Sequence, residues 1–287
     1  MKTKIEKAQI ILDALPYIRK YAGKTFVIKY GGSAQINPTL KDKFAQDIAL
    51  FYLVGIKLII VHGGGNKITS LLDKLNIPSN FVDGLRVTTK ESMEIVEMVL
   101  SGNINKEITS RLNSHGAKAI GITGKDANFF KAVPKDDGKY GLVGDIVEID
   151  KKVIYKLLDE NFIPVVAPIA ATDNADDIGL NINADLVASK IAGELKAEKV
   201  IFLTDTLGVL DDSQKLIPTL EKSEIKELID SGVIRGGMLP KVKACLEAVE
   251  NGCTKAHIID GRIEHSLLLE VFTSEGIGTV IKEKGVE

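Results

Sequence analysis

Short apolar runs rich in valine and isoleucine alternate along the chain with longer stretches whose apolar residues recur every three or four positions. The first kind predicts buried strands at Thr25–Lys29, Leu58–Val61, Lys118–Ile122, Ile163–Pro168, Lys199–Leu203, His257–Ile259 and Thr279–Ile281. The second predicts helices over Leu40–Leu53, Asn66–Leu75, Lys90–Leu112, Lys151–Asn161, Ala184–Leu195, Lys222–Ser231, Pro240–Asn251 and Glu264–Phe272. Strand and helix in regular alternation read as an α/β protein with a mainly parallel sheet. One segment departs from the alternation. Phe129–Val133 and Leu142–Ile149 flank PKDDGKYG and predict a β-hairpin turning around Asp137–Gly138. Ahead of the first strand, residues 4–20 predict a separate helix, with Ile5, Ala8, Leu12, Leu15 and Ile18 on one stripe and a kink at Pro16. Such a helix either lies on its own domain or forms an arm that packs on another subunit. The pattern divides into this arm (1–24) and two lobes, 25–190 and 191–287.

Composition narrows the function classes. With 287 residues, 45% of them hydrophobic, the chain has enough apolar surface for one large core or two modest ones. Its 37 basic and 39 acidic residues nearly cancel. No broad positive field exists to hold nucleic acid or an anionic membrane, so any anion site is local. Cys245 and Cys253 are too few for a disulfide framework or a zinc site, which fits a cytoplasmic protein. No apolar run approaches the roughly 20 residues of a membrane span. Glu6 and Asp13 interrupt the first apolar stretch where a signal peptide is continuous, so the mature protein is expected to begin at residue 1.

Candidate chemistry gathers at glycine-bearing turns. The strand Leu58–Val61 runs into His62-Gly63-Gly64-Gly65, and a helix follows from Asn66. Consecutive glycines let a ligand approach the backbone, and the free N–H groups of a helix start attract anions. A tight turn needs one or two glycines, so three favour a phosphate cradle. A P-loop is excluded because Gly124-Lys125 is followed by Asp126 and preceded, five positions back, by Ala119. A lipase-type oxyanion loop lacks its partner elbow, since Gly31-Gly32-Ser33-Ala34-Gln35 ends in glutamine.

Two lysines add charge to this backbone. Lys29 ends the first core strand in FVIKYGGSA, where open α/β sheets place ligands, with Gly31 and Gly32 beside it. Lys241, in a helix opening at Pro240 just after Gly236 and Gly237, sits in a first turn, where a cation opposes the helix dipole by roughly half a kcal/mol. An incoming polyanion reverses that penalty. In Asn181-Ile-Asn-Ala-Asp185, Asn183 and Asp185 also suit an ordinary helix start, as N-cap and first-turn acid. Asn181 falls outside that explanation. Together with Arg86, in the loop Asp83-Gly-Leu-Arg-Val-Thr88, it offers a grip on a substrate carboxylate.

In order along the chain, KYGGSA, VHGGG, DGLRVT, VGDIVEI, PVVAPIA, NINAD, LTDTLGVL and GGMLPKV resemble the acetylglutamate kinase family, of the amino acid kinase superfamily, from about Tyr17 to Ile281. Ser33, Ala127-Asn128 and Leu180 depart from residues frequent in that family. The resemblance implies a three-layer αβα fold, with N-acetyl-L-glutamate in lobe 25–190 and ATP with Mg2+ in lobe 191–287. It implies that Lys29 and Lys241 hold the transferring phosphoryl group, that Asp185 orients them, and that Gly32 and Gly64 donate N–H groups to it. Gly64, Gly65, Arg86 and Asn181 would bind the acceptor. Gly31, Gly32, Asp205, Gly237 and Met238 would lie along the nucleotide with the two lysines. No residue is assigned to the metal, which is expected on nucleotide oxygens and water.

The chain ends resemble the arginine-inhibited branch, in which amino-terminal helices interlace dimers into a hexamer, a trimer of dimers. Tyr17, Glu270 and Gly276 are the candidates for contacting L-arginine there. The alternatives are a sister kinase for carbamate, aspartate, glutamate or uridine monophosphate, and a sensor of arginine or nucleotide that has lost turnover.

Overall fold

The seven predicted strands and one the periodic reading missed, Thr219–Glu221, join into one sheet in the computed structural model, which describes residues 2–82, 84–174 and 178–286. Its strands are β1 (Thr25–Tyr30), β2 (Lys57–His62), β3 (Ala119–Thr123), β4 (Ile163–Ala167), β5 (Lys199–Thr204), β6 (Thr219–Glu221), β7 (Lys255–Asp260) and β8 (Thr279–Lys282). They lie in the order β6-β8-β7-β5-β1-β2-β4-β3. Every pairing is parallel except β7 with β8. Near-continuous apolar strands are what a parallel sheet covered on both faces requires, and β4, IPVVA, is buried at all five positions.

Side chains alternate across the sheet into two cores. Val27, Ile59 and Phe202 pack on one face with helices α6 (Lys151–Asp159), α7 (Ala184–Glu194), α8 (Lys222–Asp230) and α9 (Met238–Glu250). Phe26, Ile28 and Ile60 pack on the other with α2 (Pro38–Leu53), α3 (Gly65–Lys74), α4 (Lys90–Glu97), α5 (Asn105–Ser114) and α10 (Ser266–Val271). This is the expected three-layer αβα arrangement. Phe26, Val27 and Ile28 are fully buried, each worth about 1.5–3 kcal/mol of hydrophobic stabilisation. The strand end that carries Lys29 is therefore held rigidly. Position 190 lies inside α7, and the sheet runs unbroken through both lobes.

Several local features differ from the periodic reading. The long helix over Lys90–Leu112 is three pieces, because a π-turn at Met98–Ile104 separates α4 from α5. Gly102 within that turn lowers helix propensity, which favours the irregularity there. Arg86 is not in a loop. It sits in a short ladder of Phe81–Val82 with Leu85–Arg86, and only 7% of it is exposed. Asp83 of the same motif lies outside the described residues. The hairpin forms from Phe130–Pro134 and Gly144–Ile149, with a register shift between Lys131 and Ala132. Ala127 and Asn128 take φ of +54° and +49°, the left-handed region where glycine is cheapest.

The first helix, α1 (Lys2–Tyr21), runs through Pro16 as one element. Most of its predicted apolar stripe is uncovered: Ile5, Ala8, Leu12 and Leu15 are exposed, with Ile10 and Ile11 beside them, and only Ile18, near the helix end, is half-buried. Among the described residues no helix is long and apolar enough to cross a membrane.

Candidate active site

The carboxyl ends of β1 and β2 each run into glycines, and the two turns lie side by side because the strands pair in register from Thr25↔Lys57 to Tyr30↔His62. Gly31, Gly32, Gly63, Gly64 and Gly65 line one cleft of about 620 Å3 with Lys29 and Asp205. Bare backbone is required here. A Cβ on Gly32, whose φ is +64°, would stand 2.7 Å from an Asp205 oxygen, and one on Gly64 would meet Ile104 and Leu100 at 2.5 and 2.7 Å. Asp205 also accepts the Ser33 N–H at 2.8 Å, tying the first glycine loop to β5's end.

Lys29 and Lys241, 212 positions apart in sequence, meet on one aspartate. Asp185 Oδ1 lies 3.0 Å from Lys29 Nζ and Oδ2 lies 3.4 Å from Lys241 Nζ. The Lys241 contact has hydrogen-bond geometry, whereas the Lys29 contact is an ion pair without that directionality. Burial alone would raise the Asp185 pKa, but the two ammonium groups outweigh it and the net shift is downward. The carboxylate is thus charged, and the trio carries one net positive charge. Helix starts bring it together. Asn183 caps α7 by accepting from the Asp185 and Leu186 N–H groups, as its position predicted. Helix α9 begins at Met238, two residues before the predicted start, so Gly237 is its cap position and Lys241 closes its first turn. Pro240 is tolerated at the third position because those N–H groups have no helical partner.

Arg86 stands behind the second glycine loop. Its Nη2 donates to the Gly65 carbonyl at 3.1 Å and to Thr69 Oγ1 at 2.8 Å, its Nη1 donates to Ser79 Oγ, and the guanidinium lies 4.6 Å from the centre of the Phe81 ring. Asn181 joins it through Thr88, which accepts from Asn181 Nδ2 at 3.3 Å and donates to the Arg86 carbonyl. Neither Arg86 nor Asn181 lines the enclosed cleft, nor do Asp185 and Lys241.

The three residues proposed for arginine lie elsewhere. Glu270 is 6% exposed, with both oxygens engaged: Oε1 accepts from His257 Nδ1 at 2.6 Å, Oε2 from the Ile277 and Gly278 N–H groups. Gly276 adjoins it, since a Cβ there would stand 2.9 Å from Oε2. Tyr17 is half-buried, one helical turn before Tyr21, whose ring has Lys199 Nζ 5.2 Å from its centre. Lys199 Nζ in turn lies 2.9 Å from His257 Nε2. The relay Lys199–His257–Glu270 was hidden in sequence, because inside apolar strands its members mark only strand positions. Lys199 pairs with Phe26, three residues before Lys29, so the relay lies about 10 Å from the lysine pair along the strands.

Burial pushes the pKa of both His62 and His257 from 6.5 down to about 4. Between those values the unfolded chain takes up protons that the folded chain refuses, so stability falls as the pH drops through that window. Asp47, raised by burial from 3.8 to about 6, acts oppositely, but it is one group against two. The expected net loss between pH 6.5 and 4 is on the order of a few kcal/mol, read from denaturant midpoints at a series of pH values. His257→Gln should flatten the slope.

Fold and site together define the amino acid kinase class. The chain matches the model of the family described as Amino acid kinase family over residues 24–260. An acetylglutamate kinase from Nitratiruptor sp. is 63% identical over 281 residues, covering 98% of this chain and 99% of that protein. An N-acetylglutamate synthase from Neisseria gonorrhoeae, complexed with coenzyme A and N-acetyl-glutamate, superposes with a TM-score of 0.85 at 25% identity, covering 97% of this chain and 64% of that one. A carbamate kinase from Giardia lamblia bound to AMP-PNP shares the fold, with a TM-score of 0.70 at 20% identity over 92% of this chain and 100% of that one. The chain belongs to the amino acid kinase family and, within it, to the acetylglutamate kinases.

Proposed function

We infer that the protein transfers the γ-phosphoryl group of ATP to the γ-carboxylate of N-acetyl-L-glutamate, giving N-acetyl-L-glutamyl 5-phosphate for arginine biosynthesis. One observation carries the reading: two ammonium groups from distant parts of the chain converge on a single charged aspartate beside paired glycine loops. A glutamate γ-carboxylate, with a pKa of about 4.3, is already ionised at neutral pH, so no general base is needed. The obstacle is bringing an anion against a polyphosphate. Lys29 and Lys241 lower it as fixed cations, Asp185 keeps them in place, and the Gly32 and Gly64 N–H groups follow charge onto the transferring oxygens.

Arg86 and Asn181 hold the acceptor's α-carboxylate, with Gly64 and Gly65 forming the wall beside them. Gly31, Asp205, Gly237 and Met238 border the nucleotide. Magnesium, when bound, neutralises phosphate oxygens. Among the described residues no cluster of three or more His, Cys, Asp or Glu would cage it, and Asp185 and Asp205 already have partners, which suits a metal carried by the nucleotide and water. The chemistry fits a cytoplasmic enzyme, where ATP is available.

The test traps acyl phosphate as hydroxamate from ATP, Mg2+ and a panel of acids. Hydroxamate with N-acetyl-L-glutamate alone supports the reading. Product with aspartate, glutamate or carbamate instead would identify a sister kinase, and none with any acid would leave a non-catalytic sensor.

The same reading includes feedback inhibition by L-arginine and a hexamer built as a trimer of dimers. Support comes from the exposed apolar residues Ile5, Leu12 and Leu15 of α1 and from the placing of Gly276 beside the Glu270 carboxylate. Because the Glu270 oxygens are occupied, arginine must share them with His257 and the backbone amides or displace these. Deleting residues 1–20 is expected to lower the mass on gel filtration to a dimer and to abolish inhibition by arginine. An unchanged mass with unchanged inhibition would eliminate this part.

A further inference from the structure

The second glycine loop is held by side chains to which the kinase reading gives no part. We propose that His62 and Gln35 are positioning residues that lock the Gly63–Gly64 peptide so that the Gly64 N–H faces the transferring phosphoryl group. The proposal rests on the kinase reading, in which that N–H serves the reaction.

The Gly63 carbonyl is the fixed point. It accepts from Gln35 Nε2 at 2.9 Å and lies 3.1 Å from His62 Nδ1. The tautomer of His62 follows from its other side. His62 Nε2 is 3.2 Å from Asn105 Nδ2, an amide nitrogen that only donates and that also donates to the Val165 carbonyl at 2.8 Å. Nε2 is therefore the acceptor, the proton sits on Nδ1, and Nδ1–H donates to the Gly63 oxygen. Both acceptor directions of that oxygen are filled. His62 and Asn105 are fully buried, so neither is free to swing to water. The low His62 pKa keeps the ring neutral, and this tautomer intact, at physiological pH.

A trans peptide points its C=O and the following N–H in opposite directions. Pinning the Gly63 oxygen on His62 and Gln35 fixes the direction in which the N–H of Gly64, a residue lining the cleft, points. Without that lock a Gly–Gly peptide rotates readily, because neither residue has a Cβ to restrict it. A donor that must reorient during the reaction loses much of its effect, whereas one already aimed costs nothing at the transition state.

The π-turn completes the support. Its Leu100 and Ile104 side chains press against the Cβ-less face of Gly64, and its end sets Asn105 opposite His62. Single π-turns of this kind frequently mark functional sites. Gln35, for its part, closes the 3-10 turn Gly32–Gln35, so its one hydrogen bond ties the first glycine loop to the second.

Gln35→Leu removes one donor at a half-buried position and leaves the Gly63 oxygen with His62 as its partner. Its kcat is expected to fall about 10–100-fold, less than the loss of a whole oxyanion donor, with KM for both substrates within about threefold of wild type. Its melting temperature should not change. It should also bind MgADP with aluminium fluoride and N-acetyl-L-glutamate less tightly than wild type does, relative to MgADP alone. At position 62, asparagine places an amide nitrogen near the Nδ1 position and glutamine places one near Nε2, so His62→Asn should keep more of kcat than His62→Gln. A wild-type kcat in Gln35→Leu, a loss carried by KM alone, or equal losses in the two His62 variants would overturn the proposal. If the His62 variants do not fold, Gln35→Leu decides by itself. A wild-type protein that forms no hydroxamate sinks the kinase reading and this proposal together. An active wild type with an indifferent Gln35→Leu sinks only the positioning role.

Discussion

Lys241→Ala is expected to lower kcat about a thousandfold while leaving the fold almost unchanged. The ammonium group stands at a helix start, 3.4 Å from an aspartate that keeps Lys29 as a second partner, and 26% of its side chain is exposed. Losing such a partly solvated pair costs less than about 1 kcal/mol. In the reaction the same charge faces oxygens that become more negative as the phosphoryl group moves, so its attraction is stronger at the transition state than before it. Removing one such preorganised group typically costs about 100- to 1000-fold, and a full charge belongs at the upper end. Steady-state kinetics beside thermal melts of the same preparation test both halves. A kcat within tenfold of wild type would remove Lys241 from the chemistry.

Asp185 should behave differently, with losses in stability as well as rate. Its side chain is 15% exposed, and it is the anion between Lys29, 12% exposed, and Lys241. Asp185→Ala leaves Lys29 buried without a counter-charge, and breaking a buried pair from one side destabilises by about 2–4 kcal/mol, allowing for residual solvent contact. Asp185→Asn separates charge from shape, since the side chain still fills its place. It should keep most of the packing yet lose at least about 100-fold in kcat, because two ammonium groups without the carboxylate repel and splay apart. Binding of ATP should survive, since both cations remain. The native pKa of Asp185 lies below its unfolded value. Its contribution to stability is therefore present above the usual carboxylate range and is lost as the pH falls through the depressed native value. Over a series of acidic pH values, the denaturant midpoints of wild type and Asp185→Asn should draw together as the pH falls below the ordinary carboxylate value of 3.8. Midpoints that stay equally far apart would refute the ionic role.

Much of this site is legible in the sequence because local chemistry writes it there. Three consecutive glycines after an apolar strand, a lysine at a strand end, and an asparagine two residues before an acid at a helix start each state their geometry within a few positions. The cap at Asn183 and the first-turn placement of Lys241 stand where those signals put them, although the helix of Lys241 begins two residues early. Arg86 was harder to place. Two-residue strands are too short to carry a period, and its burial depends on Phe81, Thr69 and Gly65 arriving from other elements. The π-turn was invisible for a related reason: its residues keep helical spacing on both sides, and only the backbone hydrogen bonding of the folded chain reveals the wider turn.

The sequence by itself determined the α/β class, the parallel character of the sheet, the glycine turns and the placing of Lys29, Asp185 and Lys241 at the ends of their own elements, because these follow from local periodicity and backbone chemistry. Only the tertiary structure decided that Lys29 and Lys241 share Asp185, that His62 and Gln35 converge on the Gly63 carbonyl, and that Lys199 reaches Glu270 through His257. Each of these contacts joins residues whose mutual distance is set by strand order and helix packing, and a linear chain holds no local record of which strands become neighbours.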